Sequence, residues 1–115
     1  LSGKQASDRA HTEVVASRTV NVLSELVPPE VAGIAFLSGG QSDAEAYANL
    51  NEINKQADAK GQSARRFTFS FGRAAQDTAR KVWNGDTANI DVSRTAFVRG
   101  LKEMSEASVG QLVTA

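Results

Sequence analysis

The sequence predicts an α/β fold in which parallel strands are covered by helices. Three observations carry that expectation. Two short apolar runs, GIAFL at 33–37 and RFTFSF at 66–71, are separated by a helical stretch, and strands joined through a helix run parallel with a right-handed crossover. Each run breaks at glycine and a helical pattern follows, so two strand–turn–helix units stand one after the other. GIAFL is apolar at every position rather than alternating, as a strand buried on both faces would be.

Taken in order, residues 1–10 are polar and read as a loop. A helix is expected from near Thr12, with Thr12 as its N-cap and Glu13 at the positive end of the dipole. Val15, Ala16, Val20, Val22, Leu23, Leu26 and Val27 recur at helical spacing and predict one wide apolar face. Pro28 and Pro29 end it, because Pro28 restrains the residue before it and neither proline donates a hydrogen bond. After the first strand, a second helix is expected over 43–56. Ser42 and Glu45 have capping-box spacing, and Tyr47, Leu50, Ile53 and Asn54 trace one face. ADAKGQSAR, with Gly61, reads as a surface loop. In the second strand Phe67, Phe69 and Phe71 alternate with Thr68 and Ser70, so its two faces differ. A third helix over 74–83 would turn Ala75, Thr78, Ala79 and Val82 inward and use Trp83 as a packing anchor. NGDTANID is a turn-rich break with Gly85 as a helix C-cap. The last helix, over 90–108, would bury Val92, Ala96, Phe97, Leu101 and Met104, and VGQLVTA after it is weakly patterned.

The 115 residues suffice for one domain. Two parallel strands, however, leave two bare edges. The chain therefore reads as part of a larger sheet, completed by another chain or by the rest of a longer protein, and a first residue other than Met points the same way. Thirteen basic side chains balance thirteen acidic ones, so no electrostatic footprint for nucleic acid or a membrane surface is present. With no cysteine, disulfides and thiolate chemistry are excluded. No apolar run approaches the roughly 20 residues that span a bilayer, and the polar first ten residues do not resemble a signal peptide.

In α/β proteins ligands bind beyond the C-terminal ends of parallel strands, where the glycines of this chain lie. Gly39 and Gly40 let backbone N–H groups approach an anion, and Ser38 adds a hydroxyl. The helix starting near Asp43 directs its positive end to the same region. Gly72 and Arg73 offer a second close approach and a planar cation. If the strands are neighbours, the loops converge into a cradle for one phosphate. Ser-Gly-Gly is equally a tight turn feeding a capped helix, and Gly72–Arg73 a solvated surface turn; the residues alone leave both readings standing. Neither a Walker motif nor a dinucleotide fingerprint is present. His11, the only histidine, has no metal-binding company and reads as a surface or capping residue. No nucleophile–base set and no pair of buried carboxylates can be assembled, so the residues can hold an anion without an evident means of breaking a bond.

Two stretches carry a family resemblance. VPPEVAGIAFLSGGQSDAEAYANLNEINK at 27–55 and FTFSFGRAAQDTARKVWNG at 67–85 resemble the C-terminal third of class I fructose-1,6-bisphosphate aldolase. The matching pattern is Val-Pro-Pro, Phe-Leu-Ser-Gly-Gly-Gln-Ser, Asn-Leu-Asn-x-Ile-Asn-Lys, Thr-Phe-Ser-Tyr/Phe-Gly-Arg-Ala and Lys-x-Trp-x-Gly, in order and with near-constant spacing, over nearly all of 11–105. The resemblance implies part of a (β/α)8 TIM barrel: the helix after strand six, then strands seven and eight with their helices, with 1–115 a C-terminal segment of one barrel domain. It implies a lyase that reversibly cleaves fructose 1,6-bisphosphate to dihydroxyacetone phosphate and glyceraldehyde 3-phosphate through a lysine Schiff base, with no metal or other cofactor, in a cytoplasmic homotetramer of glycolysis and gluconeogenesis. Ser38, Gly39, Gly40, Gly72 and Arg73 would bind the substrate phosphate. The imine-forming lysine is expected in a Leu-Lys-Pro-Asn-Met stretch just upstream of Leu1; Lys4 is not in that context and takes no such role, so this segment alone would be inactive. QADAKGQSARR lacks the Pro and Trp of many animal forms, and no long tail with a terminal tyrosine follows, so a bacterial or other shorter-tailed enzyme is expected. The rival readings are a non-catalytic phosphate-binding or scaffold segment and an interaction protein completed by a partner.

Overall fold

The computed structural model describes residues 1–3, 5–62 and 64–113; Lys4, Ser63 and the last two residues lie outside them. The elements are α1 (Thr12–Leu26), β1 (Gly33–Phe36), α2 (Asp43–Ala59), β2 (Arg66–Phe69), α3 (Arg73–Trp83), a 3-10 turn (Thr87–Asn89) and α4 (Ile90–Ala107). The order is the expected one, with the 3-10 turn added inside the turn-rich break.

Helix α1 begins at Thr12, but its cap position is His11, whose side chain makes no capping bond. This corrects the assignment of Thr12 as N-cap. The helix stops where Val27 turns extended (φ −96°, ψ 122°), as a residue before proline must. Three carbonyls at this end share one donor. Arg65 reaches back with Nη1 to the Leu23 carbonyl (3.0 Å) and with Nη2 to those of Val27 and Pro28 (both 2.9 Å). Val15, Ala16 and Val20 are buried, but Val22 and Leu26 are 52% and 75% exposed. The expected face was too wide: Val22 lies about 200° round the helix from Val20 and looks away from α2.

Helix α2 is the hub. Ala46, Tyr47 and Leu50 pack with Ala74, Met104 and Ala107, while Ile53 and Ala57 pack with Ala16, Val20 and Phe67. It runs to Ala59, three residues past the expected end. Asn54, buried within it, donates to the carbonyls of Leu50 (3.0 Å), Phe67 (3.0 Å) and Ala107 (3.1 Å), so one amide ties α2, β2 and α4. Asn51 and the Leu112 backbone exchange two hydrogen bonds of 3.0 and 3.1 Å, which hold the segment after α4.

Strands β1 and β2 are neighbours and parallel, with Ile34 opposite Phe67 and Phe36 opposite Phe69. These four side chains face the helices, and the Phe36 and Phe67 rings stack at 6.1 Å. Gly33 and Ala35 lie on the other face and are exposed. The expectation that β1 is buried on both faces is therefore corrected: within the described residues, helices cover one face of this two-stranded sheet. The radius of gyration, 15.5 Å, exceeds the roughly 13 Å of a compact chain of this length. The 7590 Å² of accessible surface exceeds the roughly 6,000 Å² of a folded monomer of this size. Both fit a slab cut from a larger body.

Helix α3 begins at Arg73, one residue early, and ends on Asn84 in the left-handed region (φ 49°), so Asn84 rather than Gly85 is its C-cap. Trp83, expected as an anchor, is 45% exposed. On α4, Met104 and Ala107 are buried, whereas Val92, Phe97 and Leu101 are exposed. The helix meets α2 and α3 along a narrow strip in which Met104 is the one large apolar side chain that is fully buried, and Val92, Phe97 and Leu101 fall outside it. No described helix is long and apolar enough to cross a membrane.

Candidate functional site

The parallel pairing decides where the two glycine loops go. Both strands end at the same edge of the sheet, and the Ser70 N–H donates to the Phe36 carbonyl at 2.8 Å just beyond β2. The segments 37–42 and 70–72 therefore leave side by side. Ser38, Gly39 and Gly40 belong to the first; Gly72 and Arg73 follow from the second.

In the first loop the Gln41 N–H closes a turn onto the Ser38 carbonyl at 3.0 Å. Both central residues have positive φ, +58° at Gly39 and +77° at Gly40, a conformation that disfavours any side chain. A second layer holds this turn. The Gln41 side-chain amide donates to the same Ser38 carbonyl at 2.6 Å, and buried Asn49 donates to Gln41 Oε1 at 2.7 Å. Ser38 itself is nearly buried. Helix α2 then starts with Ser42 Oγ accepting from the Glu45 N–H at 3.2 Å. The expected cap is present, but Glu45 does not reciprocate; its carboxylate pairs with Arg9 at 2.7 Å.

In the second loop Gly72 occupies the N-cap position of α3, and exposed Arg73 is the first helical residue. The first turn of α3 contains no acidic residue, and its basic pair, Arg80 and Lys81, sits at the other end. Arg73 thus lies against the positive pole of its own helix, a placement that costs about 0.3–1 kcal/mol. Its guanidinium has no protein partner among the described residues, and the N–H groups of Gly39, Gly40, Gly72 and Arg73 have no protein acceptor among them either. Unpaired backbone donors, two helix N-termini and a cation at one sheet edge can hold an anion.

Tyr47 joins the two halves from behind. Its hydroxyl donates to the Ala74 carbonyl at 2.8 Å, and its ring stacks on Phe71 with centroids 6.4 Å apart. Burial, helped by the Asp43 and Glu103 carboxylates, pushes its phenol up to about 12. Thr78 of α3 donates to the Asp43 carboxylate at the start of α2. Sequence reasoning placed Tyr47 on the buried face but missed its bond, and it missed Gln41 and Asn49 altogether. The available signal was compositional: Asn49, Asn51 and Asn54 are poor helix formers crowded into one helix. Among the described residues no group of three or more His, Asp or Glu could hold a metal ion. Among the described residues no nucleophile–base pair lines the edge.

The family model for class I fructose-bisphosphate aldolase, a glycolytic enzyme, matches residues 1–115. Cytosolic fructose-bisphosphate aldolase 4 of Arabidopsis thaliana is 42% identical over 108 residues, covering 94% of this chain and 27% of its own length. Chloroplastic fructose-bisphosphate aldolase 2 of Pisum sativum is 40% identical over 111 residues, covering 96% of this chain and 30% of its own. A solved structure of fructose-bisphosphate aldolase from Plasmodium falciparum, in complex with TRAP and a small-molecule inhibitor, superposes with a TM-score of 0.87 at 35% identity. That match covers 99% of this chain and 32% of the other. This chain therefore spans less than a third of the length of these relatives. The two-stranded α/β slab is part of a (β/α)8 barrel, which accounts for the uncovered sheet face.

Proposed function

This chain belongs to the class I fructose-bisphosphate aldolase family, and from that premise we propose that it supplies the phosphate-binding edge of a fructose-bisphosphate aldolase. On this reading the complete protein cleaves fructose 1,6-bisphosphate reversibly into dihydroxyacetone phosphate and glyceraldehyde 3-phosphate. The observation that carries the proposal is the parallel pairing of β1 with β2, which leaves the Ser38–Gly39–Gly40 turn and the Gly72–Arg73 helix start at one edge. The glycine N–H groups and the Ser38 hydroxyl would donate to phosphate oxygens, and the Arg73 guanidinium would neutralise their charge. Binding energy gained on a phosphate remote from the reacting carbon orients the carbonyl for attack.

The bond-breaking group on this reading is a lysine that forms an imine with the substrate ketone. No Leu-Lys-Pro-Asn-Met stretch occurs in the 115 residues. The segment by itself, one part of a single barrel domain, should therefore neither cleave the substrate nor be trapped on it by borohydride. A barrel of this kind takes about 250 residues. A homotetramer in the cytoplasm is the assembly and compartment we infer from the family and from cytosolic relatives. The chloroplastic relatives make a plastid the rival, which fractionation decides.

The test is a structure of the complete protein with dihydroxyacetone phosphate trapped by borohydride. Phosphate oxygens within hydrogen-bond reach of the Gly39 and Gly40 N–H groups and of Arg73 are expected. A phosphate held elsewhere refutes the site. Phosphate bound here without any trapped lysine would make the protein a non-catalytic member of the family.

A further inference from the structure

Tyr47 is the only tyrosine of the chain, and three helices are arranged around its hydroxyl. Helix α2 supplies it one turn past Asp43. Helix α3 accepts from it through the Ala74 carbonyl at 2.8 Å. Helix α4 makes room for it at Gly100, where an added Cβ would stand 3.3 Å from Tyr47 Oη. A glycine in the interior of an 18-residue helix costs about 1 kcal/mol against alanine, so space for this hydroxyl is obtained at a local loss. The contacts of Tyr47 also bracket one segment. Its ring stacks on Phe71, immediately before Gly72, and its hydroxyl bonds Ala74, immediately after Arg73.

We propose that Tyr47 is a positioning residue for the phosphate site, its hydroxyl bond to Ala74 setting where Gly72 and Arg73 stand relative to Ser38, Gly39 and Gly40. The proposal rests on the phosphate-binding reading above. The same helix carries both ends of the brace: α2 begins directly after the Gly39–Gly40 turn, and its buried Asn49 holds that turn through Gln41. The Asp43–Thr78 bond joins α2 to α3 beside it. One rigid element therefore references both loops. The phenol remains a protonated donor at every working pH, since its environment favours the neutral form.

The experiment uses the complete protein and four variants: Tyr47→Phe, which keeps the ring and its stack, Gly100→Ala, Arg73→Ala, and Tyr47→Phe combined with Arg73→Ala. Loss of one neutral hydrogen bond should lower kcat/KM for fructose 1,6-bisphosphate by about 3- to 10-fold in Tyr47→Phe. Most of the loss should appear as a higher KM. The ketose lacking the phosphate on its dihydroxyacetone half should be cleaved as well by Tyr47→Phe as by the wild type. In the double variant Tyr47→Phe should add clearly less than it costs alone, because the part of its effect carried by Arg73 is already gone and only the Gly72 part is left. Gly100→Ala, which crowds the hydroxyl while favouring helix α4, should raise KM in the same direction and keeps the test alive if Tyr47→Phe does not fold. A silent Tyr47→Phe beside a damaging Arg73→Ala overturns the proposal and leaves the phosphate site standing. Full additivity in the double variant, or equal loss on both substrates, makes Tyr47 merely structural. A silent Arg73→Ala removes the phosphate reading, and the role of Tyr47 falls with it.

Discussion

Arg73→Ala separates function from stability in an unusual way. The guanidinium is exposed, makes no bond to the described protein, and stands at the first position of α3, where the helix dipole repels it. Removing it deletes no hydrogen bond or ion pair among the described residues and relieves about 0.3–1 kcal/mol of unfavourable electrostatics. The complete protein should therefore unfold at the same temperature or slightly higher. Activity should move the other way. A hydrogen bond to a charged group contributes about 1.5–3 kcal/mol, and each 1.4 kcal/mol is about tenfold, so kcat/KM for fructose 1,6-bisphosphate should fall by about 10- to 100-fold. The loss should be shared between KM and kcat, because phosphate binding also places the carbonyl. Arg73→Lys should recover only part, a point charge replacing a planar fork. The assay is steady-state cleavage with the bisphosphate and with a ketose lacking the relevant phosphate, alongside thermal denaturation of each variant. If both substrates suffer equally, or if the melting temperature drops by several degrees while kcat/KM holds, Arg73 is structural and the phosphate argument loses its cation.

Other outcomes follow from single contacts. In Gly39→Ala the new methyl meets nothing within 4 Å, so only the backbone angle of +58° resists it; a stability loss of about 1–2 kcal/mol in chemical denaturation, with a raised KM, is expected, and an unchanged KM would detach this turn from substrate binding. Asn54→Ala removes the donor shared by Phe67 and Ala107 and should cost about 1–3 kcal/mol in urea denaturation of the complete protein, with KM nearly constant; a neutral variant would mean water replaces the amide without loss. The Tyr47 phenol is raised from 10.0 to about 12, so the folded state keeps a proton that the unfolded state has released between those values. Its contribution is fully present below about pH 10 and is lost as pH rises toward 12. The alkaline fall in denaturation midpoint should be shallower in Tyr47→Phe, and identical slopes would contradict the buried donor.

Much of this protein was legible because it is local. Pro28 and Pro29 stop α1, Ser42 caps α2, and two glycines in succession demand a turn, each through preferences acting over about four residues. The parallel direction of the strands followed from the helix that joins them, while their pairing as neighbours is seen only in the structure. The five residues of the candidate site follow the strands in sequence, so their place at the strand ends was also legible. Burial was a different matter. Val22, Leu26, Trp83 and Val92 have the composition of core residues and are exposed, while Asn49, Asn51 and Asn54 look like surface residues and are buried. A helix pattern states which side chains share a face, but a face becomes interior only when another surface arrives to cover it. That surface comes from elsewhere in the fold: for Asn54, the carbonyls of Phe67 and Ala107, thirteen and fifty-three residues away. The brace from Tyr47 to Ala74 belongs to the same class. Sequence could place Tyr47 on the inner side of α2, but its hydroxyl acquires a partner only because α3 packs there and Gly100 lets α4 close over it.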